Sequence, residues 1–337
     1  MEYFYYTQPI TLENGSSLPE ITVAYTTYGK LNTDKSNVVW ICHALTANAD
    51  VADWWSGVVG SHHVINPEKY FIVCANILGS CYGTTGPLSN NPLTGKPYYH
   101  TFPFISIRDM VQVHILLRKH LHIENIYLLI GGSMGGYQAL EWSILENQRI
   151  HNIVLLATSA TESAWGIAIH TAQRLSIEAD GTWLSDTASA GANGLKAARA
   201  IGMLTYRNYT IMVQKQSDDD VEKTIGFKAE SYIRHHGNKL VNRFNAFSYW
   251  TLTRAMDSHH IARGRGGKVS AIMQTIYQPT LIIGVNSDIL CPITEQQMLA
   301  SVMPNASLVT IDSNYGHDGF MLESKAIAAH LAQWLYL

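Results

Sequence analysis

Hydrophobic residues along the chain form short apolar runs that alternate with longer segments of helical period. Four near-continuous apolar runs, at residues 38–42, 70–74, 126–130 and 153–156, fall in the first half of the sequence. Runs of this kind are typical of strands that helices cover on both faces. Residues 107–121 carry apolar side chains at helical spacing and separate the second run from the third. The pattern predicts βαβ units and a mostly parallel sheet, which is an α/β fold.

The pattern changes over residues 163–268, where segments of helical period follow one another without intervening strands. Two long examples are predicted as helices over residues 164–179 and 241–256. Strand-like runs then return at residues 280–284 and 308–311. Because strands lie on both sides of the helical segment in the sequence, it is predicted as an insertion into the sheet-containing domain.

The chain therefore divides into three predicted segments that make two structural units. Residues 1–162 and 269–337 are expected to form the two parts of one α/β core, and residues 163–268 its helical cap. The core closes with an amphipathic helix predicted over residues 320–335. A chain of 337 residues is long enough for one large domain with such an insertion.

Composition and charge narrow the functional classes. Hydrophobic residues make up 47% of the chain and charged residues 15%, so disorder is excluded. The 23 Lys and Arg residues against 26 Asp and Glu give a formal net charge of −3, and no basic run stands out that would bind a nucleic acid. The N-terminus lacks the pattern of a secretion signal, and no apolar stretch approaches the roughly 20 residues of a membrane span. We expect a cytoplasmic protein with neither nucleic acid nor membrane as a partner.

Residue types that bind metals lack the spacing of metal sites. The four cysteines are far apart and show no CxxC pattern. Three pairs of adjacent histidines occur, but none belongs to an HExxH motif, and adjacent histidines rarely enter one coordination sphere. No metal site and no cofactor are expected.

The strongest catalytic motif is the sequence Gly-Gly-Ser-Met-Gly-Gly at residues 131–136. It follows the apolar run at residues 126–130 and precedes a segment of helical pattern, which is the context of a nucleophile elbow. Small residues at Gly131 and Gly135 let a strand and a helix pass closely around such a turn. Ser133 is therefore the predicted nucleophile.

A serine nucleophile needs a general base and a third group that orients the base. His317 lies in a loop after the last apolar run, next to a glycine, and Asp288 lies just past the run before it. The order Ser133, Asp288, His317 is typical of α/β-hydrolases. The other candidate acid, Asp312, precedes His317 too closely to serve as the middle member. The predicted triad is Ser133, Asp288 and His317.

Backbone N–H groups are expected to bind the oxyanion that forms when a serine attacks a carbonyl group. One donor should directly follow the nucleophile, and the other should lie in the loop after an early strand. These positions predict the N–H groups of Met134 and Leu45. Leu45 could instead be an ordinary core residue.

Several longer motifs surround the candidate residues. They include His-Ala-Leu-Thr at 43–46, Asn-Ile-Leu-Gly-Ser-Cys-Tyr-Gly-Thr-Thr-Gly-Pro at 76–87, Thr-Tyr-Arg at 205–207, Glu-Ser-Tyr at 230–232 and Gly-His-Asp at 316–318. With these motifs the chain resembles the homoserine O-acyltransferases of the α/β-hydrolase superfamily over almost its whole length. The set is far more specific than GxSxG alone, which many esterases share.

The resemblance implies an α/β-hydrolase fold and a set of substrate-binding residues. It implies that Arg207 binds the carboxylate of homoserine and that Asp318 holds its amino and hydroxyl end, with Tyr232 and Asn48 in the same pocket. The chemistry agrees, since Arg pairs bidentately with a carboxylate and an acid attracts an ammonium group. Without the family, Arg207 could be a surface residue and Asp318 a solvated loop acid.

The resemblance also implies a reaction. An acyl group, expected to be acetyl from acetyl-CoA, would pass through an acyl-Ser133 intermediate to the hydroxyl of L-homoserine, in a ping-pong reaction of methionine biosynthesis. The residues leave open a succinyl donor, serine as acceptor, and an esterase that uses the same triad. A non-catalytic binding protein is also conceivable, but the complete triad argues against it.

A homodimer joined through the helical cap is expected as well. Large aromatic residues of the predicted cap include Trp165, Trp183, Phe244, Phe247, Tyr249 and Trp250. A single layer of helices cannot hide all of them, and two-fold pairing is a common way to cover an apolar patch. The resemblance implies dimers of this kind. Alternatively, these side chains roof the active site.

Overall fold

An eight-stranded sheet lies at the centre of the computed structural model, which describes residues 1–336. The strands are β1 (Glu2–Tyr6), β2 (Ile10–Thr11), β3 (Ser17–Leu18), β4 (Ile21–Tyr28), β5 (Val38–Cys42), β6 (Phe71–Ala75), β7 (Asn90–Asn91), β8 (Lys96–Pro97), β9 (Ile126–Gly132), β10 (Ile150–Leu156), β11 (Thr280–Val285) and β12 (Ala306–Ile311). The helices are α1 (Val51–Trp54), α2 (Ile107–His120), α3 (Met134–Leu145), α4 (Ala164–Glu178), α5 (Ala192–Tyr206), α6 (Tyr209–Gln216), α7 (Lys228–Val241), α8 (Ala246–Asp257), α9 (Val269–Met273), α10 (Ile293–Val302), α11 (Gly319–Leu322) and α12 (Ser324–Leu335). Short 3-10 turns lie at Tyr99–Thr101, Asn147–Arg149 and Gly316–Asp318.

The main sheet is mostly parallel, as the sequence predicts. Its strand order is β1-β4-β6-β5-β9-β10-β11-β12, and the strands from β6 onward in that order run parallel. The sequence did not predict β1 and β4, which form an antiparallel edge next to β6. Because the carboxyl ends of parallel strands meet at one edge of a sheet, the loops after β5, β9, β11 and β12 lie close together.

Helices cover both faces of the sheet and bury two apolar layers. Alternate residues of β5 point to opposite faces, so that Trp40 belongs to one layer and Val39 and Ile41 to the other. Trp142 of α3 packs in the first layer and Ile327 of α12 in the second. Because both faces of this strand are buried, consecutive residues are apolar, and the strand can be recognised in the sequence as a continuous apolar run.

Helices α4 to α9 occupy the chain between β10 and β11. Helix α4 packs against α5 and α8, and α5 packs against α7. The predicted cap boundaries, residues 163 and 268, lie directly before α4 and α9. The division of the chain into units at these boundaries stays a prediction, and Leu337, the last residue of the third segment, lies outside the described residues.

Two predicted helices are wrong in their extent. The helix predicted over residues 241–256 is split between α7 and α8. The side-chain oxygen of Asn245 accepts a hydrogen bond from the backbone N–H of Ser248 at 2.8 Å, and this cap starts a new helix although the apolar period continues. The helix predicted over residues 320–335 is divided into α11 and α12.

Most of the aromatic residues on which the expectation of a dimer is based are buried within a single chain. Trp183, Phe244, Phe247 and Tyr249 are only 0–6% exposed, whereas Trp165 is 53% exposed. Other apolar side chains of the cap are exposed instead, including Leu175, Leu204, Tyr209, Val213, Val221 and Ile225. The expectation that some of the named aromatic residues remain exposed therefore holds for Trp165 and not for the four buried ones. The dimer stays a prediction that rests on the other exposed residues.

Candidate active site

Ser133 lies between β9 and α3 in a strained turn. Its φ of 53° and ψ of −126° are unusual for a residue with a side chain. A Cβ atom at Gly135 would lie 2.1 Å from the carbonyl oxygen of Cys42, and one at Gly131 would lie 2.1 Å from the carbonyl oxygen of Gly135. Because only glycine fits at both positions, strand and helix approach closely enough to present Ser133 at the edge of the sheet.

Three side chains from separate loops form a continuous hydrogen-bonded chain at this edge. The hydroxyl oxygen of Ser133 lies 2.8 Å from Nε2 of His317, and Nδ1 of His317 lies 2.6 Å from Oδ2 of Asp288. With its proton on Nδ1, the imidazole donates to Asp288 and accepts from Ser133. This is the geometry that a general base needs in order to activate a serine.

The backbone holds Asp288 from its other side. Its Oδ1 accepts hydrogen bonds from the N–H groups of Leu290 at 2.8 Å and Cys291 at 2.9 Å, and its side chain is fully buried. Burial by itself lowers the pKa of His317, but the charge of Asp288 and its hydrogen bond raise it, and the net pKa lies above its usual value. The imidazolium that forms when a proton leaves the nucleophile is thereby stabilised.

A cavity of about 450 Å³ lies over Ser133 and His317. Two of the predicted binding residues, Asn48 and Asp318, line it, and apolar side chains such as Phe320 complete the wall. A pocket of this size with a few convergent polar groups suits a small-molecule substrate.

The two predicted oxyanion donors lie at the elbow and in the loop after β5. Leu45 lines the cavity. Met134 is the first residue of α3, so its N–H has no acceptor inside the helix, and the helix dipole at this end favours negative charge. The positions suit the binding of an oxyanion, and the assignment stays a prediction.

Arg207 and Asp318 form an ion pair beside the cavity. Nη1 of Arg207 lies 3.3 Å from Oδ2 of Asp318, and Nε of Arg207 donates a hydrogen bond to the hydroxyl of Tyr232 at 3.2 Å. Neither Arg207 nor Tyr232 lines the cavity itself, and Arg207 adjoins it through Asp318, which does. Burial raises the pKa of Asp318 above its usual value, although the charge of Arg207 opposes the shift.

Comparison with known proteins identifies the family. A sequence model of the α/β-hydrolase fold matches residues 37–324. The chain is 48% identical over 322 residues to a homoserine O-acetyltransferase of Cyclobacterium marinum, an alignment that covers 96% of this chain and 91% of that protein. It is 45% identical over 328 residues to a homoserine O-acetyltransferase of Trichormus variabilis, with 96% and 90% covered. The chain belongs to the homoserine O-acetyltransferase family. The resemblance seen in the motifs, the α/β-hydrolase fold and the expectation of an enzyme are thus confirmed.

Solved structures of homoserine O-acetyltransferases share this fold. The enzyme of Staphylococcus aureus is 28% identical, with a TM-score of 0.80 over 100% of this chain and 96% of that chain. The enzyme of Bacillus anthracis is 22% identical, with a TM-score of 0.92 over 99% and 96%. Esterase E22 is 24% identical and reaches a TM-score of 0.88 over 99% of both chains. The fold alone therefore does not separate an acyltransferase of this family from an esterase.

Residue types that bind metals do not cluster in this member of the homoserine O-acetyltransferase family. Within residues 1–336, no group of three or more His, Cys, Asp or Glu side chains is placed to hold a metal ion. All four cysteines are free thiols, and Cys42, Cys74 and Cys291 are buried. No helix in the same part of the chain combines the length and the apolar character that crossing a membrane requires.

Several residues at the site were not predicted from the sequence. Arg199, Lys239 and Arg243 of the cap region line the cavity and make its wall more basic than the sequence suggested. Glu162 and His170, with side chains 6% and 4% exposed, line a second and smaller cavity at Ser133 and His317. Because these residues reach the triad from distant parts of the chain, no local motif marks them.

Proposed function

We propose that the protein transfers an acetyl group from acetyl-CoA to the side-chain hydroxyl of L-homoserine, as a step of methionine biosynthesis. The observation that carries the proposal is the hydrogen-bonded chain Ser133–His317–Asp288 beside a cavity that contains Asp318. The activity named for the relatives supports the choice of acetyl group and of homoserine.

In the first half-reaction, Ser133 attacks the thioester of acetyl-CoA. His317 accepts the hydroxyl proton as the new C–O bond forms, and Asp288 stabilises the resulting imidazolium. The N–H groups of Leu45 and Met134 donate hydrogen bonds to the oxyanion. When the tetrahedral intermediate collapses, the C–S bond breaks and CoA leaves as a thiol with the proton from His317.

In the second half-reaction, L-homoserine replaces CoA in the cavity. His317, neutral again, accepts the proton of the homoserine hydroxyl as its oxygen attacks the acetyl carbon of acetyl-Ser133. Collapse of the second intermediate breaks the bond to Ser133, and His317 returns the proton to the serine oxygen. The products are O-acetylhomoserine and free enzyme, so every proton is accounted for and this route uses neither a metal nor a cofactor.

The charged pair at the cavity suits an amino-acid acceptor. Asp318 lines the cavity next to His317, where its carboxylate attracts an ammonium group toward the reacting centre. Nη1 of Arg207 lies 3.3 Å from Oδ2 of Asp318, so the guanidinium is held at the carboxyl group that lines the cavity. A guanidinium has five N–H donors, and those that Asp318 and Tyr232 do not engage would pair with a substrate carboxylate. Tyr232 holds the guanidinium, and Asn48 supplies a polar group in the cavity wall.

An esterase would use the same triad, with water in place of L-homoserine in the second half-reaction. The triad geometry does not distinguish the two acceptors. The ion pair of Arg207 and Asp318 favours a charged amino acid over water, because two ionised groups held beside a nucleophile recognise an amino acid and are not needed for hydrolysis.

Substrate omission tests the proposal. The enzyme is incubated with acetyl-CoA or succinyl-CoA, and with L-homoserine, L-serine or no acceptor, while thiol release and product mass are followed. We expect rapid thiol release only with acetyl-CoA and L-homoserine together, and O-acetylhomoserine as the product. Ser133→Ala is the control. Equal thiol release with and without an acceptor would identify a hydrolase, and a faster reaction with succinyl-CoA or L-serine would replace the proposed substrate.

A further inference from the structure

A second cavity adjoins the nucleophile, and it is far smaller than the first. Ser133 and His317 line both cavities, as do Met256 and Leu290, whereas Leu45 lines only the large one. The volume of the small cavity is about 10 Å³, close to the space that one water molecule needs. It therefore holds one group the size of a water molecule or a methyl group.

Three groups around the carbonyl carbon of an acyl-serine each need their own space. They are the carbonyl oxygen, the departing thiol or incoming alcohol, and the side chain of the acyl group. The carbonyl oxygen lies toward the N–H groups of Leu45 and Met134. The departing thiol and the incoming alcohol need access to solvent and to His317, which the large cavity provides. The side chain of the acyl group needs a third space beside Ser133, and the small cavity is available for it.

We propose that the small cavity binds the side chain of the acyl group, and that Leu290 and Met256 limit this side chain to a methyl group. The inference rests on the acyl-Ser133 intermediate of the proposed function and deepens it, because it assigns the residues that select the acyl donor.

Existing contacts hold the wall of the small cavity in place. The hydroxyl of Tyr137 donates a hydrogen bond to Oε2 of Glu162 at 3.1 Å. Nδ1 of His170 lies 2.8 Å from Oδ1 of Asp257. Met256 is 5% exposed in the packed helix α8. A longer acyl chain would have to displace side chains that are already paired or packed, which well-packed sites resist.

The same wall disfavours an acyl chain that ends in a carboxylate. Within residues 1–336, no Lys or Arg lines the small cavity, whereas the acidic residue Glu162 does. His170, which also lines it, is already paired with Asp257. A buried carboxylate without a cationic partner is strongly unfavourable. Succinyl is therefore excluded by its charge as well as by its length.

The p-nitrophenyl esters of acetate, propionate, butyrate and succinate test this site without CoA or homoserine. The value of kcat/KM for nitrophenol release measures acylation, and intact mass shows the acyl group on the enzyme. We expect kcat/KM to fall by roughly 10- to 200-fold for each methylene added to acetate. In Leu290→Ala the cavity is larger, and the backbone N–H of residue 290 still binds Asp288. The butyrate-to-acetate ratio should then rise at least about 10-fold, while succinate remains a poor substrate.

Ile289→Ala is the matched control, since Ile289 is 48% exposed and does not line the small cavity. Equal kcat/KM for acetate and butyrate in the wild type would overturn the size limit, as would the same ratio in Leu290→Ala and Ile289→Ala. If Leu290→Ala fails to fold, Met256→Ala carries the same comparison. A gain for succinate as large as that for butyrate would overturn the charge argument.

If the proposed function is wrong and the small cavity still binds the acyl side chain, the experiments give a different set of results. Acetyl ester would then acylate Ser133 with the expected size limit, while acetyl-CoA and L-homoserine would give no O-acetylhomoserine. Absence of any acyl group on Ser133 after reaction with p-nitrophenyl acetate would overturn both proposals.

Discussion

Replacing Asp288 by Asn keeps the shape of this side chain but removes its negative charge from the triad. Oδ1 of Asp288 accepts hydrogen bonds from the N–H groups of Leu290 and Cys291, at 2.8 and 2.9 Å. Asn keeps both bonds with its own Oδ1 and must then turn its NH₂ group toward His317. Because an NH₂ group only donates, Nδ1 of His317 becomes the acceptor and the proton moves to Nε2. His317 can then no longer accept the proton of Ser133.

The expected loss in kcat is about 10⁴-fold, which is the cost of the same substitution in a serine-protease triad and equals about 5.5 kcal/mol. The pH profile should change as well. In the wild type, burial lowers the pKa of His317, but the charge of Asp288 and its hydrogen bond bring the net pKa above its usual value. Only neutral His317 accepts a proton, so activity falls as the pH drops through this pKa. Without the charge of Asp288 the pKa is lower, and the acid limb of the residual activity moves to lower pH.

Thiol release from acetyl-CoA with L-homoserine, measured from mildly acidic to mildly alkaline pH, gives both quantities. Asp312→Asn is the matched control, because Asp312 is an exposed acid outside the triad whose carboxyl group accepts a hydrogen bond from Asn286. It should keep nearly full activity. The reasoning is refuted if Asp288→Asn retains a tenth or more of the wild-type kcat, if its acid limb moves to higher pH, or if Asp312→Asn is the more damaging change.

Three further predictions concern the acceptor, the elbow and the cap. Arg207→Lys should raise the KM for L-homoserine more than the KM for acetyl-CoA, because an ammonium group cannot pair bidentately with a carboxylate; equal changes in steady-state kinetics would contradict this role. Gly135→Ala should lower the free energy of unfolding, measured by urea titration, by about 1–3 kcal/mol or more, because the new Cβ would lie 2.1 Å from a backbone carbonyl oxygen. Gly181→Ala is the control and should not lower it, because a Cβ at that position meets nothing within 4 Å. Equal urea midpoints of unfolding for the two variants would contradict the close packing of strand and helix at the elbow. Light scattering should give twice the 37.5 kDa of one chain, because apolar side chains such as Val221, 91% exposed, need cover; a mass near 37.5 kDa would exclude the dimer.

The central strands and the proximity of Ser133, His317 and Asp288 could be predicted because local patterns determine them. Strands that are buried on both faces, such as β5 and β9, have continuous apolar sequences. The elbow requires glycines at fixed distances from Ser133, which makes it a local motif. Asp288 and His317 each follow a strand of a parallel sheet, and this placement brings them to the same edge as Ser133.

Features that depend on distant contacts were not predictable in this way. Strand β1 reads as Glu-Tyr-Phe-Tyr-Tyr, without the alternation of apolar and polar residues that marks an edge strand. The break between α7 and α8 depends on the cap at Asn245 rather than on the apolar period. Glu162 and His170 reach the small cavity from outside the core motifs. The roles proposed for Arg207 and Tyr232 rest on the family resemblance, because nothing local to either residue indicates a carboxylate site.

Ser133 is proposed to carry the acyl group between donor and acceptor, and intact-mass spectrometry tests this step most directly. After incubation with acetyl-CoA alone, we predict one added acetyl group, located by peptide mapping to Ser133. Addition of L-homoserine should remove it and yield an equal amount of O-acetylhomoserine, and Ser133→Ala should acquire no acetyl group. Transfer of acetyl to L-homoserine without an acetyl-enzyme, or an acetyl group on a residue other than Ser133, would contradict the mechanism.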